Sequence, residues 1–141
     1  MEALARAGAR RSPARAPHLA TGVRGERVAY FWLRRHGYIV VARGWHSSRA
    51  RGDLDLIAWQ GNTLCFVEVK TRTTRAVAPA HFAVDRDKRF VLRRLARHYL
   101  RLLPSRDVKM RFDILSIYFE AGKLPDFEHF PGAFGWTEEQ R

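Results

Sequence analysis

Between Gly52 and Arg72 the chain reads GDLDLIAWQGNTLCFVEVKTR, two alternating segments joined at Gln60-Gly61-Asn62. Alternation of apolar and polar residues describes half-buried strands, and a glycine-containing polar turn between them describes a hairpin. If Trp59 and Leu64 close that hairpin, Asp55 falls opposite Glu68 and Asp53 opposite Lys70, all on one face. Directly opposed β carbons lie about 4.5–5.5 Å apart. Two carboxylates held that close repel, so one must take a proton or a cation must sit between them. A hard divalent ion is the natural remedy, and Mg²⁺ is satisfied by one or two carboxylates plus water. The competing account is an exposed ion network, Asp53 with Lys70 and Glu68 with an arginine, which would add little stability. The setting favours the cation, because LCFVEVK otherwise reads as a core strand.

The partner follows from charge. Among 141 residues, 26 Lys and Arg stand against 14 Asp and Glu, a formal charge of +12. Such an excess calls for a polyanion, nucleic acid ahead of an anionic membrane surface. Arginine dominates it, and arginine forks onto phosphate and stacks on bases. No apolar run reaches the ~18 residues of a membrane span. The N-terminus also lacks the apolar region of a secretory signal, so the expected compartment is the cytoplasm. Cys65 is the only cysteine, which excludes an intrachain disulfide and a Cys-rich metal site. Its apolar neighbours make it a buried structural thiol.

Along the chain, residues 1–20 are rich in Ala, Arg and Pro and read as a disordered basic tail; 21–141 read as a single domain. A helical pattern over 21–36 stops at Gly37, GYIVVARGW reads as a strand, and the hairpin follows a polar loop. Residues 71–84 read as loop, 85–103 as a basic helix stopped by Pro104, RFDILSIYF as a strand, and 120–141 as irregular. The order α-β-β-β-α-β predicts an α/β fold, a central mixed β-sheet flanked by helices.

Each predicted helix carries one charge out of place. On the first, Arg24, Arg27, Arg34 and Arg35 share a face, while Glu26 falls opposite with Ala29 and Leu33. A packed carboxylate needs a partner; on this helix alone an ion pair with arginine is the favoured account, and a place at the edge of a metal site is the other. On the second, Val91, Leu92, Leu95, Ala96 and Tyr99 form an apolar arc that also holds Lys88, in the first turn. Lys88 either snorkels out of the arc or meets phosphate at the helix start. Arg86, Arg89, Arg93, Arg94, Arg97 and Arg101 cover the rest.

Asp55, thirteen residues before Glu68-Val69-Lys70, matches the Asp…Glu-x-Lys core of the PD-(D/E)xK nuclease superfamily. More closely, the chain resembles the YraN-like family of uncharacterised predicted endonucleases, relatives in fold of restriction enzymes and archaeal Holliday-junction resolvases. Gly25-Glu26, GDLDLIA, FVEVKTR, the helix start from Val84 to Lys88, and RFDIL carry the resemblance, which reaches about Phe134. It implies a restriction endonuclease-like fold. It also implies that Asp55 and Glu68 bind Mg²⁺ or Mn²⁺ with the Val69 carbonyl. Lys70 would orient the attacking water and stabilise a phosphorane-like transition state. Glu26 would stand near the site rather than in an ion pair, with Asp53 and Lys88 as supporting groups. Two departures from the pattern are Asp53, where the family usually has Glu, and the absent "PD" proline.

The resulting expectation is a metal-dependent endonuclease acting on nucleic acid, with DNA, branched DNA included, as the favoured polymer. Arg72, Arg86, Arg89, Arg93 and Arg97 are the candidates for backbone contact, which gives affinity without sequence information. The alternative is a non-catalytic nucleic-acid-binding protein of the same fold; a basic RNA-associated protein is a third class. His36, His46, His81 and His98 are too scattered for metal ligation, and Ser47 and Ser48 have no base partner near in sequence. Phe127, Phe130, Phe134 and Trp136 could cap the core or contact a second subunit of a homodimer.

Overall fold

A computed structural model of the chain describes residues 17–74, 84–105 and 107–138, with side chains from residue 22 onward. In chain order the elements are α1 (Pro17–Arg35), β1 (Ile39–Ser47), β2 (Ala50–Gln60), β3 (Thr63–Arg72), α2 (Arg86–Leu100), β4 (Lys109–Tyr118) and β5 (Asp126–Phe134). The five strands form one sheet in the order β1-β2-β3-β4-β5. Every neighbouring pair is antiparallel except β3–β4. Parallel neighbours need a long crossover, and α2 lies within that connection.

Local chemistry explains the boundaries. α1 ends in a Schellman arrangement, with Gly37 at φ 86°, Tyr38 N–H donating to Leu33 O at 3.0 Å and Gly37 N–H to Arg34 O at 3.2 Å. The two-residue Gly61-Asn62 turn joins Gln60 to Thr63, and Gly61 takes the positive φ of 58° that a type II′ hairpin needs at its first central position. Asp85 caps α2, its Oδ1 accepting from Lys88 N–H at 2.9 Å.

Each face of the sheet buries a cluster under one helix. On one face Ala29 and Leu33 of α1 pack on Leu56, Ala58, Cys65, Val67, Leu115 and Ile117 of the sheet. On the other, Leu92 and Leu95 of α2 pack on Leu54, Ile57, Leu64, Phe66, Phe112 and Ile114. Cys65 is a buried free thiol, its pKa pushed by burial to about 11. The mixed sheet between helices is the predicted architecture. No helix among the described residues is long and apolar enough to cross a membrane.

Three expectations need correction. Residues 17–20 belong to α1 rather than to a tail; residues 1–16 lie outside the described residues, as do 75–83 of the predicted loop, including His81. The stretch after residue 120 is not irregular, because it supplies β5. Pro131 and Gly132 disguise it, yet proline is tolerated on an edge strand, and here it lies where the β4–β5 register shifts between the Phe112–Phe134 and Ile114–Phe130 pairs. Buried Asp113 holds that irregularity together, accepting from Gly132 N–H at 3.0 Å, Arg111 Nε at 2.8 Å and His129 Nε2 at 2.9 Å. The aromatics of this region cap the core: Phe130 and Trp136 pack on the α2 side and Phe127 on the α1 side. Finally, α2 stops at Leu100 rather than 103.

Candidate metal and phosphate site

The hairpin register begins as predicted, with Trp59 opposite Leu64, but β2–β3 pairing stops at Leu56 and Val67. Asp55 and Glu68 are therefore not a cross-strand pair, and neither are Asp53 and Lys70. Alternation breaks at the same place, since Leu54 packs on the α2 side while Leu56 packs on the α1 side. The break turns Asp55 toward the gap between the parting strands. Its Oδ2 accepts the Val69 backbone N–H at 2.9 Å, a donor that the β2 ladder no longer serves. The fork replaces a flat charged face with two carboxylates that converge at the mouth of a sheet.

Glu68 is 4% exposed. Its Oε2 faces Lys70 Nζ at 3.2 Å and Lys88 Nζ at 3.7 Å. Its Oε1 is buried and has no hydrogen-bond partner. Burial, then the charges of Glu68 and Glu26, hold the Asp55 carboxyl well above its ordinary pKa, against the opposing Val69 hydrogen bond. The Glu26 carboxyl is raised by desolvation of its head against the packed mouth, then by Asp53 and Glu68, although the residue as a whole is exposed. Four acids thus crowd one end of the sheet. Among the described residues, however, no three His, Cys, Asp or Glu side chains close into a complete metal cage. Two carboxylates, one with an unserved buried oxygen, are the donor set that suits Mg²⁺ or Mn²⁺, whose other positions go to water and substrate oxygens.

Two glycines let both helices reach this mouth. A β carbon on Gly25 would lie 2.1 Å from Thr71 Cγ2, so α1 crosses β3 at van der Waals contact beside Glu26. A β carbon on Gly52, at φ 87°, would lie 2.7 Å from Val91 Cγ1 of α2. The Asp85 cap fixes the first turn of α2, which carries Lys88 to Glu68. Lys88 accordingly lies on the side of Glu68 and Lys70, as its place on the apolar arc suggested. Glu26 is at the rim, and among the described side chains of its helix Gly25, Ala29 and Leu33 are the buried positions. Asp53 is also exposed, on the stretch of β2 that has left β3.

The arginines divide. Arg72 keeps a buried Nε without a partner, two positions beyond Lys70 on β3. Arg86 and Arg97 are exposed, and Arg97 stacks over Trp136 at 4.9 Å. Arg93 is not on a solvated face: it is buried, because the segment after β5 lies over it. Its Nε donates to Gly135 O at 2.7 Å and its Nη1 to Glu138 Oε2 at 2.6 Å. Arg89 also binds Glu138. Sequence reading missed Glu138, which carries no local pattern. It also missed that His98 Nδ1 reaches Ser47 Oγ at 3.0 Å. Ser47 Oγ already accepts Arg49 N–H at 3.1 Å, so the contact braces the β1–β2 turn against α2.

Residues 25–117 match a family described as "Uncharacterised protein family UPF0102". A UPF0102 protein of Koribacter versatilis is 50% identical over 117 residues, covering 83% of this chain and 80% of its own. One of Solibacter usitatus is 42% identical over 110 residues, covering 78% and 82%. One of Geobacter metallireducens is 39% identical over 114 residues, covering 80% and 90%.

Proposed function

The chain belongs to the uncharacterised protein family UPF0102, and we propose that it is a metal-dependent endonuclease of restriction endonuclease-like fold and PD-(D/E)xK type. The observation that carries this reading is Glu68 Oε1, a buried carboxylate oxygen with no partner, beside a second crowded carboxylate, Asp55. A buried polar atom left unpaired is costly, and a divalent cation would satisfy it. Asp55, Glu68 and the Val69 carbonyl would hold Mg²⁺ or Mn²⁺.

When bound, such a cation polarises the scissile phosphate and lowers the pKa of a water molecule. Asp55 is aimed by its bond from Val69 N–H, so its orientation is set by the backbone. Lys70, a fixed positive charge at 3.2 Å from Glu68, orients the attacking water and faces the charge that develops on phosphorus oxygens. Lys88 adds a second ammonium from the other element, placed to hold the phosphate. Glu26 and Asp53 at the rim hold the local potential negative and so favour a cation. The arginine excess behind the +12 charge binds the flanking backbone of nucleic acid, DNA being the favoured polymer. The cytoplasm is the compartment that fits a DNA substrate and a single reduced thiol. A homodimer would present two such sites to a duplex or a junction.

The test is cleavage of single-stranded, duplex and branched DNAs and RNAs in Mg²⁺, Mn²⁺ and chelator, alongside Asp55→Ala and Glu68→Ala. Metal-dependent cleavage by the parent that both variants lose is the expected result. Cleavage that survives both substitutions removes this site from the reaction. Binding without cleavage in any metal favours the second reading, a non-catalytic nucleic-acid-binding protein, for which the basic charge alone speaks.

A further inference from the structure

Arg86, Arg89 and Arg93 recur at a spacing that puts them on one stripe of α2. All three turn to one carboxylate. Glu138 Oε2 accepts from Arg89 Nε at 3.0 Å and Arg93 Nη1 at 2.6 Å. Glu138 Oε1 accepts from Arg89 Nη2, with Arg86 Nε at 3.8 Å. Two backbone carbonyls complete the cradle, Val84 O taking Arg89 Nη1 at 2.6 Å and Gly135 O taking Arg93 Nε at 2.7 Å. Three guanidinium groups surround this one carboxylate, and Asp85 is a further acid whose charge acts on Arg89. The donors are in excess: Arg93 Nη2 is buried with no partner, on a side chain only 9% exposed.

Converging arginine forks are the arrangement that recognises phosphate. Glu138 has the charge and the paired acceptor oxygens of a phosphodiester. Hydrogen bonds from Arg89 and Arg93 hold its pKa down to about 2, so it is an anion at any working pH. The same helix turns present Lys88 to Glu68, one residue before Arg89. A polymer laid from the carboxylate mouth along α2 would meet this cradle next.

We propose that Arg86, Arg89 and Arg93 form a phosphate-binding site for the nucleic-acid backbone, and that the chain's own Glu138 occupies it as a competing anion in the free protein. This rests on the nucleic-acid reading above, though not on cleavage. Backbone phosphate and the Gly135–Glu138 segment then exclude one another, and by linkage each weakens the other.

The test is metal-free binding in chelator, with a fluorescent thymidine 12-mer as the probe. Removing the competitor by Glu138→Gln should tighten binding at least about threefold and steepen the salt dependence by about one phosphate contact. Asp107→Asn makes the same change of net charge at an exposed site and should move affinity far less. Adding Arg89→Ala to Glu138→Gln should abolish the gain. In the unaltered protein, hydrogen exchange over residues 133–138 should speed up when the 12-mer binds, which needs no variant to fold. Equal or weaker binding by Glu138→Gln, with exchange unchanged in the parent, overturns the competition while leaving a nuclease intact. Absence of 12-mer binding by both proteins overturns it together with the nucleic-acid reading.

Discussion

The Val69 backbone N–H donates to Asp55 Oδ2 at 2.9 Å across the gap where β2 leaves β3. A side chain here does what a strand carbonyl would do elsewhere in the ladder. The bond costs nothing in sheet continuity and fixes the direction of an acid that is otherwise held by burial among other acids.

Asp55→Asn keeps that acceptor and removes the charge. Burial and Glu68 raise the Asp55 pKa above the ordinary 3.8. Between that value and the raised one, the folded state binds a proton that the unfolded state lacks, so stability falls as pH rises through the window. At neutral pH the Asp55 charge therefore opposes folding. Without metal, Asp55→Asn should melt about 2–5 °C higher than the parent at neutral pH, with the difference vanishing in acid. Thermal melts across pH in chelator check it, and a variant that melts lower would show the carboxylate to be stabilising.

Metal should close that difference from the other side. If the proposed site holds Mg²⁺ or Mn²⁺ only when folded, millimolar metal should raise the parent melting temperature by mass action. Asp55→Asn and Glu68→Gln should lose most of this response, while Asp53→Asn should keep it. An equal rise in all four proteins would mean that the cation binds elsewhere.

Gly25→Ala tests the approach of α1. Its new methyl would meet Thr71 Cγ2 at 2.1 Å, which neither neighbour can absorb without moving. Overpacking of this kind costs about 1–3 kcal/mol, and any shift of α1 carries Glu26 off the rim. Removing the obstruction should reverse the effect: in Gly25→Ala/Thr71→Ala the nearest remaining contact, Thr71 Cβ at 3.5 Å, is ordinary. Denaturant melts and cleavage rates of the single and double variants should recover together. A single variant as stable as the parent would show the crossing to be looser than it looks.

The hairpin, both helices and the buried strand were legible because each has its own local signal: a Gly61 turn, a Gly37 stop, an apolar arc, an alternation around Leu64 and Phe66. The point where pairing ends was not legible. Trp59 and Leu64 fix the register, but nothing local says that it stops at Leu56 and Val67, short of Asp55 and Lys70, since that depends on Leu54 choosing the α2-side core. The same holds for β5, whose Pro131-Gly132 pair reads as a break until Asp113 is seen bonding across it. Arg93 and Glu138 lie 45 positions apart in the chain, so helical periodicity placed Arg93 only on the arginine face offered to nucleic acid. Candidate acids could be named from spacing; their division of labour needed the fold.

Asp113 supplies a stability prediction apart from the site. Its burial would raise its pKa, but hydrogen bonds from His129, Arg111 and Gly132 outweigh that and hold it below 3.8. A depressed pKa contributes stability above the unfolded value that is lost as pH falls through the folded one. Asp113→Asn should therefore destabilise at neutral pH, by about 3–5 kcal/mol if the loss resembles that of other broken buried pairs. It should also flatten the acid limb of the stability curve below pH 4. Urea melts at several pH values check both parts. An unchanged acid limb would place the acid sensitivity elsewhere.

Lys70 and Lys88 both face Glu68 Oε2, at 3.2 and 3.7 Å, but arrive from different elements. Lys70 stands on β3 itself, two residues from the carboxylate, and its position is as rigid as the sheet. Lys88 comes from the first turn of α2 and is more exposed, 36% against 25%. The rigid ammonium is the better placed to meet charge that develops only in the transition state, and the outer one to meet charge that substrate already carries. Lys70→Met should lower kcat by at least about a hundredfold, the scale of losing one preorganised charge contact. Lys88→Met should act mainly on KM. In the absence of metal these two ammoniums are also the counter-ions of a buried carboxylate. Losing Lys70 should thus make the protein less stable in chelator and more responsive to Mg²⁺. Steady-state kinetics and melts with and without Mg²⁺ separate the roles, and equal kcat losses in both variants would show the two lysines to act as one unit.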